Sequence, residues 1–181
     1  MEFFKDKRAK KKLNKTFEHI EKNLNKVDSE VAVEFLDWLD RKTLFFRQSI
    51  NRNGYGKQPD DLKRGDIVWV EFGINVGTEL SDYATKGHYA VVWAVDLGNV
   101  IVLPLTSKYS PGSRLTYELG ILPNLVEENE MSISYLKLDA IRSISKRRIG
   151  RMPGKDGGKV RLSEENIKYI TSLLQKEFID T

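Results

Sequence analysis

Apolar positions change their spacing once along this chain, and the change divides it in two. From residue 3 to residue 26, Leu13, Phe17, Ile20 and Leu24, with Val27 just beyond, recur three and four residues apart, which sets them on one face of an amphipathic helix. Asp28-Ser29 then offers a cap for a second helix from about Glu30 to Ile50, carrying Val31, Phe35, Trp38, Leu39, Phe45 and Phe46. The short connection predicts a helical hairpin. Residues 51–60, with Asn53-Gly54 and Pro59, read as a turn-rich linker.

Beyond the linker the period becomes that of strands. Asp66–Phe72 is rich in Val, Ile and Trp and alternates. Gly73–Gly87 is polar and reads as a loop. His88–Asp96 and Val100–Leu105 are the next strands, joined by the hairpin turn Asp96-Leu97-Gly98-Asn99. Ser132–Lys137 and Ala140–Ile144 are two further short strands, and Gly150–Lys159 reads as a mobile glycine- and lysine-rich loop. Ser163 caps a last helix, with Glu164 and Glu165 at its positive end and Ile167, Ile170, Leu173, Leu174 and Phe178 as its buried stripe. Short strands followed by one helix predict an α+β unit built on a small antiparallel barrel.

Composition narrows the chemistry. A length of 181 residues suits one medium domain with an appendage. There is no cysteine, which removes disulfides, thiolate catalysis and Cys-based zinc; with only His19 and His88, a histidine-rich metal site is not expected either. No apolar run approaches the roughly 20 residues that span a bilayer, and Met1-Glu2-Phe3-Phe4-Lys5 lacks the apolar core of a signal peptide, so a cytoplasmic protein with no membrane partner is expected. The net charge of +4 is compatible with a polyanionic partner without requiring one. Gly154-Lys155 lacks the spacing of a phosphate loop, and neither a carboxylate cluster with metal-ligand spacing nor a nucleophile elbow is present.

Four segments in order are distinctive: Arg64-Gly65-Asp66-Ile67-Val68-Trp69-Val70, then His88-Tyr89-Ala90-Val91-Val92-Trp93, then Val102-Leu103-Pro104-Leu105-Thr106-Ser107, then Leu138-Asp139-Ala140-Ile141-Arg142-Ser143-Ile144. Together they resemble the PemK/MazF toxins of type II toxin–antitoxin systems, over about residues 62–178. The resemblance implies an SH3-like antiparallel β-barrel of the MazF/Kid/CcdB kind with a C-terminal helix. The expected division is a helical extension at 1–58 and the barrel domain at 59–181. It further implies a homodimer, an antitoxin partner, and metal-independent, sequence-selective endoribonuclease action on single-stranded RNA with no cofactor. The competing reading is a non-catalytic protein of the same fold that binds a protein or nucleic acid, as the gyrase-poisoning branch does.

Carried onto this chain, the resemblance singles out particular residues. Arg64-Gly65-Asp66 is an opening signature, read here as a turn and a strand start. Gly77-Thr78-Glu79 matches the family's Gly-Ser/His-Glu segment in a loop that closes over RNA; Glu79 orders that loop, takes part in proton transfer or is a solvated loop acid, and Thr78 contacts RNA. His88 stands where the family commonly has the catalytic arginine of an Arg-Pro pair. Arginine stabilises a phosphorane but is a poor proton acceptor, whereas histidine titrates near neutrality and can act as acid or base. Lys86 can supply the fixed positive charge. Thr106 matches the family's catalytic threonine, able to hydrogen-bond a phosphate oxygen, with Ser107 and Lys108 beside it. Arg142 suits a phosphate contact or a structural ion pair equally. Arg147 and Arg148 open a basic stretch, continued by Arg151, Lys155, Lys159 and Arg161, that can track an RNA backbone. Trp69, Tyr83 and Tyr89 are candidate stacking platforms, or core.

Two spatial expectations follow. His88 and Thr106, at the start of one strand and the end of the next, should meet at one mouth of the barrel. The apolar faces of the N-terminal helices should pack on the barrel or on a dimer mate, where they can inhibit the site, add RNA contacts or serve structure alone.

Overall fold

The computed structural model describes residues 3–50, 59–83, 87–122, 125, 132–150, 152–154 and 158–180. It divides into two compact units, Met1–Leu44 and Phe45–Thr181.

In the first unit, α1 spans Lys7–Leu24 and begins at a cap formed by Asp6, whose Oδ1 accepts from the Arg8 and Ala9 N–H groups at 2.8 and 3.2 Å. The helix therefore starts later than its apolar spacing predicts, after a 3-10 turn at Phe3–Lys5. Asp28 caps α2 (Ser29–Ile50), accepting from Glu30 N at 2.9 Å; residues 45–50 of this helix belong to the second unit. The expected helical pair is present. No residue of either helix is buried; Phe17 is 53% exposed and Phe46 67%. The expected linker, residues 51–58, lies outside the described residues.

The second unit is a curled antiparallel half-barrel with a C-terminal helix. Its strands are β1 (Asp66–Val70), β2 (His88–Val95), β3 (Asn99–Thr106), β4 (Thr116–Ile121), β5 (Ile133–Lys137), β6 (Arg142–Ser145) and β7 (Val160–Arg161), followed by α3 (Glu164–Phe178). The sheet order is β4-β5-β3-β2-β1-β7. β3 carries two partners along one edge: Asn99–Val102 pair with β6, and Leu105 and Thr106 pair with β5. A strand that changes partner midway bends the sheet, and the irregularity between Val92 and Ala94 of β2 adds to the curl.

The fold departs from the sequence expectation at three places. β4 was not anticipated: Gly120, at φ 79°, sits at a register shift and interrupts its alternation. The two-residue β7 is too short to show a period. Leu138–Ala140 forms a 3-10 turn, so β6 begins at Arg142 instead of Ala140.

Consecutive residues of β1, β2 and β3 are buried on opposite faces. Ile67, Val91, Leu103 and Leu136 pack in one cluster with Ile170 and Leu173 of α3. Val68, Val70, Ala90, Val92 and Val102 pack in another with Phe72 and Ile144 of β6. This double burial explains the unbroken apolar runs. Gly65 lets α3 approach: a Cβ there would lie 2.8 Å from Ile167 Cδ1, and its φ of 90° disfavours any side chain. Gly65 N donates to Val92 O, and Asp66 Oδ2 accepts from Lys63 N, both at 2.8 Å, so this segment is structural as expected. Ser163 Oγ caps α3 by accepting from Asn166 N at 3.2 Å.

Candidate active site

β1 and β2 are antiparallel, with Val70 opposite His88, so the chain from Glu71 to Gly87 must leave and re-enter the sheet at one end. Hydrogen bonds close the neck of this loop. Asp82 Oδ2 accepts from Gly73 N at 2.5 Å, and Asp82 N donates back to Gly73 O at 3.1 Å. Asn75 bridges the same neck: its N–H donates to Ser81 Oγ at 2.9 Å and its Nδ2 to Leu80 O at 2.6 Å. A turn closed by Glu79 N donating to Val76 O at 3.2 Å holds Gly77-Thr78-Glu79 at the exposed tip.

His88 opens β2, and Thr106 ends β3. The last paired position before them is Ala90 opposite Pro104, and the two side chains face one cavity of about 380 Å³. Trp69, Tyr89 and Leu105 form its apolar wall, with Trp69 edge-on to Tyr89 at 4.9 Å. Its polar lining comes from His88, Thr106, Ser107 and Lys108, from Ser81 and Tyr83 of the loop, and from Ser132 and Ser134 at β5. Thr106 Oγ1 accepts from Lys108 N at 3.1 Å, which leaves its own hydrogen free to be donated into the cavity.

Behind His88 lies a residue that sequence reasoning missed. Asp82 Oδ1 is 3.5 Å from His88 Nε2, and the Asp82 side chain is 3% exposed against 25% for His88. Oδ1 is buried without a hydrogen-bond partner. Burial pushes the Asp82 carboxyl above the usual carboxylate range, opposed by the Gly73 N–H and by attraction to His88. No local pattern marks this acid; only the closed neck brings it to the imidazole.

The other predicted residues fall elsewhere. The Arg142 guanidinium stacks 5.2 Å from the Phe72 ring centroid, and His88 lies 6.4 Å from the same ring. Arg148 donates to Phe72 O, and burial pushes its guanidinium down, opposed by Asp82 and Glu71 and reinforced by Arg142. Neither arginine lines the cavity. Thr78 and Glu79 sit on the loop tip and do not line it either, and Arg147 lies in a 3-10 turn after β6. Lys86, Arg151 and Lys155 lie outside the described residues. Tyr83, Tyr89 and Trp69 all reach the cavity, Tyr89 as part of the core and Tyr83 exposed.

A family model described as the PemK-like, MazF-like toxin of type II toxin–antitoxin systems matches residues 63–178. This chain belongs to that family. The match covers the whole half-barrel from the turn before β1 to the end of α3, including the cavity, and leaves α1 and α2 outside it. No curated protein matches the sequence. Within this PemK/MazF-like chain, the described residues include no group of three or more His, Asp or Glu placed to hold a metal ion, and no helix long and apolar enough to cross a membrane.

Proposed function

We propose that this PemK/MazF-like protein is the toxin of a type II pair and acts as a metal-independent, sequence-selective endoribonuclease on single-stranded RNA. The observation that carries this reading is the meeting of His88 and Thr106 on one cavity, with Lys108 beside them. Cleavage at a ribonucleotide needs a proton acceptor for the 2′-hydroxyl, stabilisation of the phosphorane, and a proton for the departing 5′-oxygen. Neutral His88 accepts the 2′-hydroxyl proton as the new O–P bond forms. The resulting imidazolium delivers that proton to the 5′-oxygen as its bond to phosphorus breaks, leaving a 2′,3′-cyclic phosphate and a 5′-hydroxyl. The Thr106 hydroxyl and the Lys108 ammonium hold the non-bridging oxygens. Trp69 and Tyr83 supply aromatic surface for unstacked bases, the usual basis of single-stranded readout.

The same reading carries an antitoxin partner, a cytoplasmic setting and a homodimer. Exposed Ile121 and Ile133 on β4 and β5, and Phe178 at the end of α3, are apolar surface that a second copy would cover. A non-catalytic binding role is favoured by a different observation: the described cations Arg142 and Arg148 pack at Phe72, away from the cavity. Incubating the full chain with single-stranded RNA in excess EDTA tests the proposal. Discrete cuts with cyclic-phosphate ends, lost in His88→Ala, are expected. Intact RNA at high protein concentration would overturn catalysis and leave the binding reading.

A further inference from the structure

We propose that Asp82 is a positioning residue for His88, fixing the neutral imidazole with its proton on Nε2 so that the Nδ1 lone pair is the one available to substrate. The proposal deepens the ribonuclease reading and rests on it for its catalytic meaning. Two oxygens face Nε2, Asp82 Oδ1 at 3.5 Å and the Ser81 carbonyl oxygen at 3.4 Å. The carbonyl can only accept, and so can Asp82 in its ionised form, which the Gly73 N–H and the neighbouring imidazole favour against burial. A ring nitrogen facing two acceptors must itself carry hydrogen. At 3.5 Å the contact is longer than a formed hydrogen bond, as is common before substrate seats and the site tightens.

The second carboxylate oxygen explains why Asp82 stays put. Oδ2 is held by Gly73 N–H and Asp82 N–H is held by Gly73 O, so the side chain is clamped at its base while Oδ1, buried without a hydrogen-bond partner, lies beside the imidazole. When Nδ1 takes up the 2′-hydroxyl proton, the imidazolium charge forms beside a buried carboxylate that burial alone disfavours. The other charged groups around the pair are Arg148, Arg142 and Glu71 on the Phe72 side, and Lys108 and the Tyr83 phenol on the cavity side. Asp82 Oδ1 stands 3.5 Å from Nε2, and Arg148 adds a weaker attraction to the same carboxylate.

A purely structural latch is the competing role, and Asp82→Asn separates the two. Its amide oxygen still accepts from Gly73 N–H, while its amide NH₂ now faces Nε2 and donates to it. The imidazole proton must then move to Nδ1, which blocks the base. The tautomer is read from the imidazole ¹⁵N shifts of the full chain, with His19→Gln used to assign the two histidines. We expect the Nε2–H form in the parent chain and the Nδ1–H form in Asp82→Asn. Cleavage should fall by about 10²-fold or more in kcat with KM nearly unchanged. An Nδ1–H tautomer in the parent chain, which needs no variant to fold, would overturn the proposal, as would an unchanged tautomer in a folded Asp82→Asn. A tautomer that switches in a protein that cuts no RNA would uphold the pairing and sink the ribonuclease reading alone.

Discussion

A Cβ at position 87 would lie 2.7 Å from Trp69 Cε2 and 2.8 Å from the Val70 carbonyl oxygen, so Gly87 and Trp69 are packed as one unit. The indole occupies the space a side chain would need, and it is also a wall of the cavity. Gly87→Ala should therefore cost about 1–3 kcal/mol of stability by overpacking and push the indole toward the cavity. Emission from Trp69, with Trp38 and Trp93 replaced by Phe, should shift together with the unfolding midpoint. Unchanged values for both would show that the ring moves aside freely.

On the proposed ribonuclease reading, the chemical role of Thr106 is separable from its packing. Removing a hydroxyl that holds a charged phosphate oxygen costs about 1.5–3 kcal/mol, or roughly 10- to 150-fold in rate. Thr106→Ala should lose that much cleavage, and Thr106→Ser should recover most of it. Equal loss in both variants would assign Thr106 to packing at the strand end.

Asp82 should reveal itself through stability as well as rate. Its carboxyl is pushed up mainly by burial. A raised folded value means that the stability from the protonated form is present below the unfolded range, about 3.9, and is lost as pH rises through the folded value. The ionised carboxylate is thus a burden at neutral pH. Asp82→Asn, which keeps the Gly73 bond, should melt at or above the parent temperature at pH 7 while losing activity. A marked fall in melting temperature at that pH would contradict this sign.

The opposite dependence belongs to the join between β4 and α3. Tyr117 Oη donates to Glu177 Oε1 at 2.7 Å, with Lys176 3.0 Å from the same oxygen. The Tyr117 bond, then Lys176, holds Glu177 below its usual range, and this stability is present above the unfolded value, about 4.3, and is lost as pH falls through the folded one. Tyr117 itself is pushed up, first by burial and then by Glu177, so its share is present below about 10 and lost in stronger alkali. Melting curves of Tyr117→Phe should be flatter than the parent's at both extremes; superimposable pH profiles would refute the coupling.

Both apolar clusters are made from residues at Leu62 and beyond. A fragment of residues 59–181 should fold cooperatively and melt within about 5 °C of the full chain. Loss of a cooperative transition would show that α1 and α2 contribute to the core.

Much of this fold is legible in the chain because short-range physics determines it. Asp28 and Ser163 cap their helices through their own side chains, and the turn at Asp96–Asn99 fixes β2 against β3. That register is what makes the meeting of His88 with Thr106 readable from spacing. β4 was not legible, because its pairing with β5 is irregular at Gly120 and no alternation survives there. Asp82 was hidden for another reason: its nearness to His88 depends on a loop neck that closes through backbone atoms, to which residue type gives little clue. Likewise, adjacent basic residues look alike in a sequence, and only the packing shows that Lys146 is buried and Arg148 is turned in to Phe72 O.

The tied neck of the β1–β2 loop also bears on how such a protein can change its targets. The bonds of Gly73 with Asp82 and of Asn75 with Ser81 and Leu80 hold the base of the loop, whereas at the tip Glu79 joins in through backbone atoms alone, its N–H closing the turn and its carbonyl accepting from Ser81 Oγ. Substitutions at the tip therefore leave His88 where it is. On the proposed ribonuclease reading, target preference and bond-breaking can then drift independently under selection, with the neck insulating the chemistry from experiments in recognition.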